Sequence, residues 1–148
     1  MKIKEIKSPS PACCTADDTV QNVAKMMCDM NVGSIPVVVD HQSLSLVGMI
    51  TDRDLCCRVL AHGLDAKSTK IQEFVTYNPA ICRDAENVEN CERLMQEHQV
   101  RRIPVVDKEN HVIGIVAQAD LALKDKAERV HKTVAEISKN TRPSIMSV

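Results

Sequence analysis

Residues 2–38 and 70–106 repeat one another at a constant offset of 68 with no gap, and fourteen of these 37 aligned positions are identical. The identities include Ile3/Ile71, Pro11/Pro79, Cys14/Cys82, Val20/Val88, Met27/Met95 and the whole of "IPVV" at 35–38 and 103–106. A duplication of this length means one supersecondary unit used twice, and a unit too small to bury its own sheet face must bury it against the other copy. The first copy then carries two extra residues within "DHQSLSLVG", after which "GMITDRDL" (48–55) faces "GIVAQADL" (114–121) at an offset of 66. The insertion falls where a hairpin turn belongs, the place that tolerates added residues best.

Within each copy a short extended lead-in ("PACCT", "PAICR") precedes a helix whose apolar residues recur at i, i+3, i+4 and i+7: Val20, Val23, Ala24 and Met27, then Val88, Cys91 and Met95. Asp18 is a candidate N-cap for the first of these helices. Two β-branched runs joined by a polar turn follow and predict an antiparallel hairpin, with Pro36 and Pro104 at a strand edge or first position. Closing helices start near Thr51 and Gln118, and Gly63 stops the first. The expected fold is therefore α/β, with two pseudo-twofold β-α-β-β-α repeats packed sheet to sheet over residues 1–68 and 69–124. A C-terminal helical segment from about Asp125 to Lys139 and a frayed tail complete 125–148.

Composition removes several classes of partner. With 19 basic and 20 acidic residues the net charge is −1, so no global field gathers nucleic acid or an anionic membrane, and any anion site must be local. One Phe and one Tyr leave no stacking platform for single-stranded nucleic acid. No apolar run reaches signal-peptide or membrane-spanning length, so the expectation is a soluble, cytoplasmic protein. Seven cysteines without a C-x-x-C pair predict reduced, mostly buried thiols, and five scattered histidines give no metal site.

The paired h-x-x-I-P-V-V-D and G-h-h-T-x-x-D-L patterns resemble a tandem cystathionine-β-synthase (CBS) domain, the two-repeat Bateman module, over roughly residues 2–125. The resemblance implies two related clefts that bind adenine compounds such as AMP, ADP, ATP, S-adenosylmethionine or NADH, with no reaction catalysed and no cofactor required. In "GMITDRDL", Gly48 permits close backbone approach, while Thr51 and Asp54 stand at a helix N-terminus, where free N–H groups favour an anion. A carboxylate there can accept from both ribose hydroxyls. The same T-x-x-D is also a helix capping box, which needs no ligand.

The second copy replaces Thr51 with Ala117 and keeps Asp120; Arg101 and Arg102 stand where the first has Gly33 and Ser34. In the family the corresponding basic residue reaches phosphate, a role the planar guanidinium suits. The resemblance further implies an adenine slot made by Ala12, Cys13 and Gly33 with Asp120, and another by Ala80, Ile81 and Val100 with Asp54. The Gly-Ser/Arg-Arg difference predicts unequal clefts. The expected function is a non-catalytic adenine-nucleotide sensor, working as a homodimer and signalling to a protein that the sequence does not identify. The alternative is a degenerate pair serving only as a dimerisation scaffold. No G-x-S-x-G, H-E-x-x-H, Walker or G-x-G-x-x-G motif supports an enzyme.

Overall fold

A computed structural model describes residues 1–9 and 11–139; the expected frayed tail lies outside them. The first repeat runs through α1 (Ile3–Ile6), β1 (Cys14–Thr15), α2 (Val20–Met30), β2 (Ser34–Val38), β3 (Leu46–Thr51) and α3, which opens at Asp52–Asp54. The helix continues from α3 as a π-turn over Leu55–Val59 and a 3₁₀ turn over Leu60–His62, and Gly63 ends it at φ 69°. The second repeat starts with a 3₁₀ turn (Ile71–Glu73) and β4 (Thr76–Tyr77). It then repeats the order with α4 (Val88–His98), β5 (Arg102–Val106), β6 (Val112–Ala117) and α5 (Gln118–Lys124), and α6 (Ala127–Ile137) follows.

The helical stripes face inward as their spacing requires: Val20, Val23 and Met27 are buried on α2, and Val88, Cys91 and Met95 on α4. The N-cap of α2 is Thr19, whose hydroxyl accepts from Asn22 N at 3.2 Å. Asp18, the candidate from sequence, instead closes the preceding turn by accepting from Thr15 N at 2.8 Å. Both helices end on a left-handed residue, Asn31 (φ 53°) and Gln99 (φ 51°), which turns the chain into the hairpin strand.

The hairpins share one register, Ser34 opposite Thr51 and Arg102 opposite Ala117, with an irregularity at the same place in each, Val37/Val38 and Val105/Val106. Pro36 and Pro104 occupy the third strand position rather than the first. The Pro104 carbonyl accepts from Cys82 N (3.1 Å) in the parallel lead-in. N–H and C=O of a strand residue point to the same side, so the missing N–H faces that short lead-in and the hairpin ladder loses no bond.

The opening segments of the repeats, residues 2–8 and 70–77, are exchanged, whereas the lead-ins that follow them stay in their own repeats, Cys14 beside Val37 and Cys82 beside Val105. Ile3 and Ile6 are fully buried in the core of the second repeat, among Cys82, Val88, Met95 and Leu121. Ile71, Phe74 and Val75 are buried in the core of the first, among Val23, Ile35, Ile50 and Val59. Backbone pairing follows the same exchange, since β4 adds to β3 (Met49 opposite Thr76) and Ser8 bridges Ile115 on β6. Gly48 makes this possible: a Cβ there would lie 2.4 Å from the Thr76 carbonyl oxygen. The approach that Gly48 permits is thus of chain to chain. A third cluster, with Cys13, Val38, Leu46, Val106 and Val112, joins the two sheets near the pseudo-twofold axis. There the hairpin turns pair, Leu46 N donating to Asn110 O and Val112 N to Leu44 O.

Candidate functional site

A cleft of about 190 Å³ opens where the first lead-in, the end of α2 and the first residues of β2 and β5 converge. Its wall is formed by Ser8, Pro9, Pro11, Ala12, Met30, Val32, Ser34, Pro36, Arg102 and Ile115. Three residues expected from sequence meet here, Ala12, Ser34 and Arg102, and among the described residues Arg102 is the only charged one in the wall. Exchange of the opening segments brings Ser8 of the first repeat beside Ile115 of the second, into the same wall as Ser34 and Arg102.

Asp120, on the first turn of α5, reaches this cleft through Ser8, whose hydroxyl donates to Asp120 Oδ1 at 3.5 Å. The other carboxylate oxygen accepts from Ala117 N at 2.7 Å. Without a hydroxyl at Ala117, Asp120 forms only half of a capping box. Gly33 precedes the Ser34 wall, and its carbonyl accepts from Asp52 N (2.9 Å), as the Arg101 carbonyl accepts from Gln118 N (2.8 Å). The Arg101 side chain is exposed and outside the wall. Cys13 is turned away from the cleft into the third cluster; burial pushes its thiol up to about 11.

The pseudo-symmetric residues are arranged differently. Thr51 and Asp54 close on each other: Asp54 Oδ2 accepts from Thr51 N (3.0 Å) and from the Thr51 hydroxyl (2.9 Å), and Asp54 N donates to Thr51 Oγ1 (3.1 Å). Arg58 stands 3.8 Å from the other carboxylate oxygen. The capping arrangement is therefore complete at Thr51 and Asp54. Val100 packs against the second core, and Ala80 is half-buried. Ile81 packs on the third cluster and lines a separate groove of about 430 Å³ with Leu46, Tyr77 and Asn110, in whose wall neither Asp54 nor Val100 takes part.

Sequence reasoning did not single out Ser8, Met30, Val32 or Ile115. The one available signal was Ser8 opposite Thr76, a hydroxyl residue at the same place ahead of both lead-ins. All seven cysteines are free, with Cys13, Cys14, Cys82 and Cys91 buried and the other three exposed. Among the described residues no group of three or more His, Cys, Asp or Glu is placed to hold a metal ion. None of their helices is long and apolar enough to cross a membrane.

The duplicated fold, with its two hairpins in one register and exchanged opening segments, defines a two-repeat module, and a CBS domain model matches residues 3–60 and 71–125. The chain belongs to the CBS domain family. It is 39% identical over 138 residues to YlbB of Bacillus subtilis, covering 93% of this chain and 91% of that protein. Among solved structures it is similar to CBSX2 in complex with AMP (25% identity, TM-score 0.71, 82% of this chain and 93% of that one). It also resembles the CBS domain pair of MJ0100 in complex with 5'-methylthioadenosine and S-adenosyl-L-methionine (28%, TM-score 0.73, 83% and 94%).

Proposed function

We propose that this chain is a non-catalytic regulatory module whose cleft at Ala12, Ser34 and Arg102 binds a phosphorylated adenine nucleoside of the AMP, ADP or ATP type. The observation that carries the reading is the convergence of Arg102 with the Ser8–Asp120 pair on one apolar slot. The base lies against Ala12, Val32 and Pro36, the ribose hydroxyls donate to Asp120, and the phosphate meets Arg102 at the rim. A volume of about 190 Å³ is below the roughly 300–1,000 Å³ that encloses a whole ligand, so the phosphate stays outside the slot. Solved relatives that hold AMP, or methylthioadenosine with S-adenosylmethionine, support the chemical class.

The clefts are unequal in this reading, because the Asp54 carboxylate is already engaged by Thr51 whereas Asp120 keeps one oxygen on a long hydroxyl contact alone. The same proposal includes a homodimer and a regulated protein as partners, in the cytoplasm.

Isothermal titration tests it. AMP and ATP should bind the wild type, Arg102→Ala should weaken AMP by about tenfold or more while changing adenosine little, and Asp120→Ala should weaken both. If none of AMP, ADP, ATP, S-adenosylmethionine and NADH binds at millimolar concentration, the sensor reading fails and the ligand-free scaffold replaces it.

A further inference from the structure

The α6 helix begins at Ala127, just beyond the last residue matched by the family model, and packs on α4 of the second repeat. Its apolar anchors are few: Ile137 is buried and Val130 half-buried against the second core. The rest of the contact is polar. Thr133, fully buried, accepts from Gln96 Nε2 at 3.0 Å. Beside it two carboxylates are withdrawn from water, Glu92 on α4 and Asp125 at the α5–α6 junction, with side chains only 3% and 2% exposed.

One guanidinium serves both. Arg129 Nε lies 3.4 Å from Asp125 and 3.8 Å from Glu92, while its terminal nitrogen binds Glu89 one turn back on α4. Glu92 Oε1 and Asp125 Oδ2 are left buried with no hydrogen-bond partner if both groups are ionised. Two anions and a half-shared cation in a dry interface cannot all be compensated, whereas one proton between the carboxylates converts repulsion into a hydrogen bond.

We propose that Glu92 and Asp125 share one proton that docks α6 on α4, so that the C-terminal helix is held tightly in acid and loosens as the pH rises towards neutrality. The charged groups facing Glu92 are Asp125, Arg129 and Glu89; its neighbour Cys91 is kept protonated by its hydrogen bond with Cys82 and by burial. Burial first, then the hydrogen bond and charge of Asp125, pushes Glu92 up to about 7 against the attraction of Arg129. Where the docked helix binds the proton more tightly than the released one, release becomes easier with rising pH between the ordinary carboxylate value and about 7, and levels off above it.

The test is amide hydrogen exchange on the full chain between pH 5 and 8, with protection factors corrected for intrinsic rates. In the wild type the opening constant of α6 should rise by up to about tenfold per pH unit to near pH 7 and then flatten. Glu92→Gln keeps the hydrogen bond without the proton and should give a flat profile. A pH-independent wild type, or the wild-type slope surviving in Glu92→Gln, overturns the proposal. If Glu92→Gln does not fold, carboxyl carbon NMR of the wild type decides: titration of Glu92 near 7 supports the shared proton, and titration in the ordinary carboxylate range overturns it.

Discussion

Replacing Gly48 by alanine should damage this protein more than the same change at its repeat counterpart Gly114. The added Cβ at Gly48 would lie 2.4 Å from the Thr76 carbonyl oxygen and 2.5 Å from Val75 Cγ1. Restoring ordinary contact needs a displacement of about 1 Å, and the atom that must move is backbone. β4 cannot retreat alone, because Phe74 and Val75 just before it are buried in the first core. Overpacking of this kind costs roughly 1–3 kcal/mol. With Thr76 lifted from β3 we place Gly48→Ala at about 3 kcal/mol, which for a chain of this size lowers the melting temperature by about 6–12 °C.

At Gly114 the new atom would meet Lys7 Cδ at 2.6 Å and Ser8 O at 2.9 Å. The Lys7 chain can bend, although Nζ is held by the Ile113 carbonyl and Asp84, each at 3.0 Å. A loss of about 1–2 kcal/mol is expected there. At Gly33 the obstacle is the Asp52 carboxylate at 2.8 Å, an exposed side chain that swings aside, so the change should stay within about 0.5 kcal/mol. Scanning calorimetry of the three variants in one buffer checks the order. Gly48→Ala melting within about 2 °C of the wild type, or below neither of the others, refutes the reasoning.

Three further outcomes follow from the contacts described. Thr51→Ala removes a complete cap and should lower ligand-free stability by about 1 kcal/mol in urea titration, while Ala117→Thr should return part of that amount to α5. Ile3→Ala should cost about 2–5 kcal/mol, with hydrogen exchange rising first in α4 and β5 of the second repeat, although the residue belongs by sequence to the first. Reductant should leave the melting temperature unchanged, since all seven thiols are free, whereas loss of a native disulfide costs roughly 2–5 kcal/mol.

The duplication, hairpins and inward helical stripes could be read from the chain because each rests on a local period or on the offset of 68. The exchange of opening segments could not, since Ile3 and Ile71 occupy equivalent positions whether each segment packs in its own repeat or in the other. That ambiguity also hid Ser8, which reaches Asp120 only across repeats. Asp18 and Thr19 are both good capping residues by type, and the choice turned on partners one turn away: Asp18 accepts from Thr15 N in the preceding turn, which leaves Thr19 to accept from Asn22 N. Thr51 and Asp54 were legible as a pair; their mutual hydrogen bonds emerged only with distances. Glu92 was overlooked although it fits the α4 stripe with Val88 and Met95 at i, i+4 and i+7. A carboxylate on an apolar face is the pattern that marks a buried acid.

The exchanged opening segments also dictate the order in which the protein can assemble as it leaves the ribosome. The first core lacks Ile71, Phe74 and Val75 until half the chain has emerged, so the first repeat must wait as an open hairpin and helix with its apolar faces bare. Ile3 and Ile6 wait longer than Ile71, because they find their pocket only after β6 and α5 have been made. A segment made before either core is thus among the last to fold. Throughout that interval a nascent chain offers a bare α1 segment, and a neighbouring chain further along the same message carries the pocket that fits it.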